Sequence, residues 1–416
     1  MRQQPARFHL TAVRPPRWWN RYGVGVVKDL GFPGNGRLPR LSRGWACGTM
    51  AVRMATVMLF LTFSCILQSA CSATPGGETG VPSVFEDAQF RGSHAAWIAT
   101  HSGDLLWTMD GGAAWHKVPG DSLDHFRRVS FIDTTNGWAL NSKAEVLRTR
   151  DGGQVWSAIG KLDQGTEYRP GIDTEIRFVD DTHGWAFDAT LVWTTDDGGV
   201  TWKRSPPSIR LDGELATVHR GQFLSSQVGW LSGGIGLICQ TLDGGVTWRA
   251  RRLARSKEDI GALFFISPKI GWAAEWPRGT IYHTIDAGET WQPQDSPIQG
   301  VGIGSICFLN ENVGWAAGHL ELNGTRTPYK SIALLLHTQD GGRSWAVLRT
   351  DEGETMSDAV YFGDPKHGWL LGTSRTQEYG SQVEKDKLWR TTDGGSSWRL
   401  SLDAESAKSL VSPTSR

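Results

Sequence analysis

The chain of 416 residues contains five cysteines, and three of them, Cys47, Cys65 and Cys71, lie before residue 72. Only Cys239 and Cys307 remain for the body of the protein. They occupy different points of different sequence repeats, so they read as two buried, unpaired thiols and not as a disulfide. Net charge is missing too. The 43 Lys and Arg balance 43 Asp and Glu, which removes the basic footprint of a nucleic-acid binder. The one sustained apolar run, Ala55 to Leu67, is too short to cross a bilayer. Signatures of chemistry are also absent: no HExxH or other zinc spacing among the His, no CxxC pair, no Walker A loop, no Rossmann glycine fingerprint and no GxSxG elbow. The reading is therefore of a chain with no metal, no cofactor and no catalytic residue. What is present is 21 Trp, 51 Gly and 39% hydrophobic residues, a composition that folds.

Residues 1–49 hold Arg2, Arg7, Arg14, Arg17, Arg21, Arg37, Arg40 and Arg43 against a single acid, Asp29, with no helical or strand period. They read as an unstructured extension or a start-site artefact, with translation beginning at Met50 or Met54. Residues 50–73 then form an export signal whose apolar core has signal-peptide length. Leu67-Gln68-Ser69-Ala70-Cys71 resembles a lipoprotein box with Cys71 as the lipidated residue. Leu67 stands one residue further from the Cys than usual, so ordinary cleavage near Ala73 is the competing outcome.

From residue 84 to 403 the sequence repeats itself seven times. Phe90, Phe131, Phe178, Phe223, Phe265, Phe308 and Phe362 are each followed seven residues later by Trp97, Trp138, Trp185, Trp230, Trp272, Trp315 and Trp369, six of them after Gly. A second word is built on Asp110, Asp151, Asp197, Asp243, Asp286, Asp340 and Asp393, each with Thr two residues before and Trp five residues after. The mean period is about 47 residues, the size of a four-stranded blade. The fold expected is all-β: a seven-bladed β-propeller of antiparallel four-stranded blades, with a flexible tail at 404–416.

In the second copy the strands read as A, Arg128 to Asp133; B, Gly137 to Asn141; C, Glu145 to Thr149; and D, Val155 to Ile159. Asp151-Gly152-Gly153 makes the C-to-D hairpin, with Asp bonding backbone ahead of it and Gly supplying positive φ. The second Gly occurs in every copy whereas the first is once Ala287, so the second carries the steric demand. The seven Asp are structural. Spacing from Phe to Trp and from Asp to Trp never varies, so the A-to-B and C-to-D turns form a fixed face. All length variation falls in the B-to-C and D-to-A loops opposite, where binding sites usually sit. The largest insertions are Gly318 to Leu334 in copy six and Gly372 to Lys387 in copy seven.

On that variable face the basic residues Arg127, Arg128, Arg169, Arg210, Arg220, Arg326 and Arg375 are the candidates for binding a partner, as a positive ring for a carboxylate or acidic segment. A solvated rim of mixed charge is the alternative, since Asp121, Asp124, Glu167, Asp173, Asp212 and Glu214 share the loops. The run Arg249, Arg251, Arg252 and Arg255 reads as a charge-protected outer edge.

The words "FLSSQVGW" and "TLDGGVTW", with their variants through residues 85 to about 400, are similar to the Asp-box or BNR repeat as arranged in the photosystem II stability/assembly factor family. That resemblance implies an extracytoplasmic seven-bladed propeller, a non-enzymatic and monomeric scaffold. Its implied protein partner is an integral-membrane assembly intermediate, in photosynthetic hosts the precursor of a reaction-centre core subunit. Asp boxes also occur in sialidases and other glycosidases, so a carbohydrate-active propeller is the second reading. Its best dyad is Glu167 with Tyr168. The sialidase Arg-Ile-Pro is missing, its nearest counterpart being Tyr168-Arg169-Pro170, and sialidases generally have six blades.

Overall fold

The computed structural model describes residues 85–118, 125–162, 174–205, 209–253, 257–277, 279–298, 300–321, 331–352, 355–378 and 381–410. The expectations for 1–49, for the export signal at 50–73 and for Cys71 lie outside them. Seven four-stranded antiparallel sheets follow one another along the chain, each with its strands in chain order, and the inner strands A of successive blades lie side by side around the axis. The seven-bladed propeller is what forms. A small ribbon, Arg210–Leu211 with Glu214–Leu215, joins blades three and four.

Each Asp box closes its hairpin in one way. The buried Thr hydroxyl donates to the Asp carboxylate and accepts the N–H of the second Gly, as in blade two, where Thr149 Oγ1 lies 2.8 Å from Asp151 Oδ1 and 3.0 Å from Gly153 N. The Asp carboxylate in turn caps backbone N–H groups three and four residues on, those of Gln154 and Val155 in this blade. Both turn glycines have positive φ, but Ala287 sits at 66° whereas Gly153 reaches 100°. The former is a left-handed value that alanine tolerates. The latter lies beyond it, so the second position is the one that requires glycine.

The three aromatic anchors of the repeat prove to be one joint between blades. The strand-B Trp of each blade lies flat on the Phe of the next: Trp97 on Phe131 at 3.7 Å between ring centres, Trp138 on Phe178 at 4.0 Å, and Trp272 on Phe308 at 3.5 Å. The Asp-box Trp of that next blade meets the same Phe edge-on, as Trp156 meets Phe131 at 5.9 Å. Indole N–H groups then cross the joint to the following Asp box, with Trp97 Nε1 donating to Gly152 O at 2.7 Å and Trp138 Nε1 to Gly198 O at 2.8 Å. The Gly before each Trp pairs across strands with the Phe, and a Cβ there would fall 2.5 Å from the Phe178 ring at Gly184. Glycine is what lets the Phe lie flat.

Blade one breaks this rule. Ala96 replaces the Gly opposite Phe90, and the closing stack of Trp369 on Phe90 opens to 5.5 Å with the planes 23° apart. No strand is shared across this seam, because blades one and seven each take all four strands from their own end of the chain. Side chains close it: Trp115 meets Trp369 edge-on, Ser401 Oγ bonds Gly112 O at 3.2 Å, and the Asp386 carboxylate accepts from Phe85 N.

The tail expected to be flexible from residue 404 begins instead as a one-turn helix, Ala404–Lys408. Asp403 caps it by accepting from Ser406 N at 2.7 Å. Ala407 is buried in the seam cluster with Phe85, Phe90 and Leu388, and Leu410 packs beside it. The small apolar residues of this turn give it a face that only the seam can cover.

In all seven blades the first turn residue of the Asp box donates its N–H to a carbonyl of the A-to-B turn, for example Gly152 N to Thr135 O at 2.9 Å and Gly394 N to Lys366 O at 2.9 Å. The two invariant turns therefore share one face. The long insertions lie at the other end, and their described residues are strand. Strands B and C simply continue, as Gly314–Glu321 with Ser331–Thr338 and as Gly368–Glu378 with Ser381–Thr391.

Adding a methyl to the glycine opposite Phe178 sets overpacking, about 1–3 kcal/mol, against roughly 0.5–1 kcal/mol of backbone entropy gained. Gly184→Ala should therefore destabilise the protein, read as a lower urea midpoint with unchanged slope. Deleting residues 404–416 should also cost on the order of 2 kcal/mol of stability, from the burial of the alanines and leucine, read as a lower melting temperature; an unchanged transition would show that the helix does not hold the seam.

Candidate partner-binding face

Inner strands A begin earlier than the sequence suggested. In blade two, strands B and C match the sequence reading, but strand A is Phe126–Phe131 and strand D is Ser157–Lys161, so A starts two residues before its expected place and D two residues after. Six of the seven inner strands carry a bulge that admits the extra residue, such as Arg127 between Phe126 and Arg128. Arg127, Arg128 and Arg220 are consequently residues of inner strands Phe126–Phe131 and Val218–Phe223. The expectation that they belong to D-to-A loops is corrected. Arg210 sits on the short ribbon, exposed, with Nη1 3.0 Å from Gly213 O. Arg375 lies on the extended strand B of blade seven, across from Glu384 in the ladder. Arg169, Arg326, Glu167 and Tyr168 fall outside the described residues.

The inner strands expose backbone edges to the axis, and side chains of the preceding blade satisfy them. The residue before the anchor Phe does this work. Gln89 brackets Phe131, receiving its N–H and donating Nε2 to its carbonyl at 3.1 Å. Gln222 does the same for Phe265 at 2.6 and 2.9 Å, and Ser130 accepts from Phe178 N at 2.8 Å. Cys307 fills this place in blade six, where its buried thiol accepts from Phe362 N at 3.4 Å, while Cys239 is buried in blade four. Both thiols are free, as the sequence suggested. Burial pushes them up, to about 12 for Cys239 and about 11 for Cys307, so neither is a nucleophile.

Three residues before each anchor Phe, the inner strands carry Asp87, Arg128, Glu175 and Arg220 on blades one to four, then Ala262, Ser305 and Ala359 on blades five to seven. At this position charge alternates over blades one to four and is absent from blades five to seven. Arg128 pairs with Glu175 at 3.3 Å, Arg177 with the same carboxylate at 2.6 Å, and the bulge residues Arg127 and Glu86 pair with each other. Asp87 accepts from Val129 N at 2.9 Å. Burial, then the nearby Glu175 charge, hold Asp87 above the usual carboxylate range. Burial acts on Glu175 too, but Arg177, Arg128 and Arg220 outweigh it and hold Glu175 low. Glu86, Asp87, Glu175 and Arg177 were not read from the sequence as part of this site.

Two of the candidate cations are thus spent inside the ring. Arg220 differs: its side chain is exposed, it feels the Glu175 charge, and no described acid lies within ion-pair distance of it. Beside it His219 bonds Thr217 Oγ1 at 3.1 Å and lies 4.0 Å from Asp259. On the outer edge, Arg249 and Arg251 pair with Glu289 at 2.8 Å and at shorter range, and Arg252 with Asp212 at 2.9 Å. That run links blade four to its neighbours and is not a free patch. Among the described residues no group of three or more His, Cys, Asp or Glu is gathered to hold a metal.

Residues 121–221, covering blades two and three and entering blade four, match the family model described as photosynthesis system II assembly factor YCF48. A stretch of 58 residues is 33% identical to the photosystem II assembly lipoprotein Ycf48 of Synechocystis sp., spanning 14% of this chain and 14% of that relative. Among solved structures, one described as YCF48 bound to D1 peptide superposes with a TM-score of 0.53 at 21% identity over 70% of this chain and 91% of the other. YCF48 from Cyanidioschyzon merolae gives 0.53 at 20% identity, over 70% and 93%. The chain is an Asp-box propeller whose fold those structures share, and within it residues 121–221 are similar to the photosystem II assembly factor family.

In this propeller the Asp boxes are charged framework. Ser397, through its hydroxyl and its N–H, holds Asp393 down at about 2. At Asp197 and Asp286 slight burial works the other way, but the Thr201 and Thr290 contacts prevail and hold both at about 2. Carboxylates depressed in the fold contribute stability that is present above the unfolded value of 3.8 and is lost as pH falls through the folded one. The Asp boxes' share of the stability should therefore be constant above about pH 5, and the melting temperature should fall between about pH 4 and 2 as that share is lost. Asp197→Asn, which keeps the acceptor oxygen without the charge, should give a shallower fall.

Proposed function

We propose that this chain is an exported, non-enzymatic scaffold that holds an acidic segment of a membrane-protein assembly intermediate of photosystem II against the axis end opposite the Asp boxes. The observation that carries the reading is Arg220, an exposed guanidinium beside an otherwise self-neutralised charged ring. It lies within the stretch that matches the assembly-factor model. A charged donor whose one described hydrogen bond is a long contact of Nη1 to the His219 carbonyl is suited to a carboxylate, and Arg210 on the neighbouring ribbon supplies a second. Arg169, Arg326 and Arg375 complete the proposed set. The extended hairpins of blades six and seven bound this end of the axis. Export, with Cys71 as lipid anchor, fits a partner embedded in the membrane, and the protein acts as a monomer.

The ion-paired arginines have a different task. Removing Arg128 leaves Glu175, a carboxylate taken out of water, with one of its two paired guanidinium groups, so its loss acts on the fold. Binding of a soluble peptide carrying the acidic, membrane-exposed tail of the intermediate should accordingly separate the two groups. Arg220→Ala is expected to weaken binding about tenfold, the worth of one charge-assisted hydrogen bond, with a smaller drop in melting temperature than Arg128→Ala because its hold on Glu175 is the weaker. Arg128→Ala should act mainly on the melting temperature. Equal affinity of the Arg220→Ala protein for this peptide would sink the reading.

A further inference from the structure

Ring closure brings together two histidines from opposite ends of the chain on the Asp-box face, away from the proposed partner site. His94 stands in the A-to-B turn of blade one and His367 in the same turn of blade seven, with ring centres 6.5 Å apart and planes 32° from each other. Both side chains reach solvent. Each ring is oriented through Nδ1: His94 by Ser93 Oγ at 2.7 Å, and His367 by the Asp364 carboxylate at 2.8 Å. His367 Nδ1–H donates to the carboxylate, which leaves its Nε2 with a lone pair, and at His94 the serine hydroxyl can accept from Nδ1–H to the same effect. A carboxylate behind an imidazole is the arrangement that orients metal-ligating histidines and raises their basicity.

We propose that His94 and His367 form a two-histidine site for a divalent first-row transition ion such as Zn²⁺, bridging the seam between blades seven and one. With metal–nitrogen bonds of about 2.0–2.1 Å, two imidazoles on one tetrahedral ion have ring centres roughly 5 Å apart. The present gap closes by a small rotation of two exposed side chains. Water fills the remaining positions. Imidazole selects zinc, copper or nickel over magnesium. The positive charge nearby is Arg390, whose guanidinium is engaged on Gly111 O beside the His94 ring, together with the exposed Lys366. Asp364 offsets it. The ion would tie together the one seam whose aromatic stack is loose.

Blade three supplies a control. His183 is held by Asp180 in the same way, Nδ1 to Oδ2 at 2.9 Å, but no second imidazole stacks or tilts against it among the described residues. Calorimetric titration of the untagged full chain with zinc chloride should show one equivalent bound, and magnesium chloride none. His94→Ala and His367→Ala should each weaken zinc binding at least about tenfold, and Asp364→Asn, a positioning residue whose amide keeps the turn, by about tenfold as well. His183→Ala should leave binding unchanged. Zinc should raise the melting temperature of the native and His183→Ala proteins and of neither seam variant. If a seam variant misfolds, zinc-induced shifts of the His94 and His367 ring resonances in the native protein, with His183 still, decide the matter. Zinc affinity indifferent to both seam substitutions, or lost equally with His183, overturns the proposal.

Discussion

A tryptophan laid flat on the phenylalanine of the next blade is the contact on which this propeller depends. A four-stranded sheet has two apolar faces and cannot bury them alone, so blades are stable only as neighbours. The stacked pair sets their spacing. It is possible because a glycine stands opposite the Phe in six of the seven blades, leaving the ring room to lie on the backbone, and because an indole N–H such as that of Trp97 reaches the Asp box beyond. The Asp-box Trp then closes the Phe edge-on. Aromatic pairs in these geometries contribute about 0.5–1.5 kcal/mol beyond the area they bury. Repeated at successive joints, that makes the repeat's three anchors one interaction.

The number of blades, the strand order and the face of the invariant turns were legible from anchor spacing, since a fixed interval between two residues reports a fixed turn. The destination of the anchors was not. Trp97 was visible as a recurring residue, yet its partners Phe131 and Gly152 belong to the following copy, and a period says nothing about which neighbour a side chain faces. Strand A was misjudged by two residues at Phe126, because a bulge places Arg127 in the strand without a partner and hides the alternation that would have announced it. The insertions of blades six and seven were read as loops because anchor spacing locates extra length without saying what it forms, and the ladder nonetheless runs through Glu321 and Glu378.

The candidate site was legible only as composition. Arg127, Arg128 and Arg220 were found, but their neutralising partners Glu86, Asp87 and Glu175 sit one blade away at the same register, a relation that appears only when copies are laid side by side around an axis. Acids on the loops were weighed in their place. The result changes the chemistry: arginines that looked like a common positive ring divide into those holding the ring together and one that stays exposed. Cys307 shows the same limit. It reads as a small buried hydrophobe and turns out to take the backbone of Phe362 as Gln89 takes that of Phe131.

Ala96 is a single methyl in place of a hydrogen, and it makes one joint of the ring unlike the rest. Where Phe90 cannot settle, Trp369 stands off, so disassembly has a fixed address. On that geometry the chain's first and last sheets are the pair expected to part first, with separation spreading inward from both ends through the tighter joints.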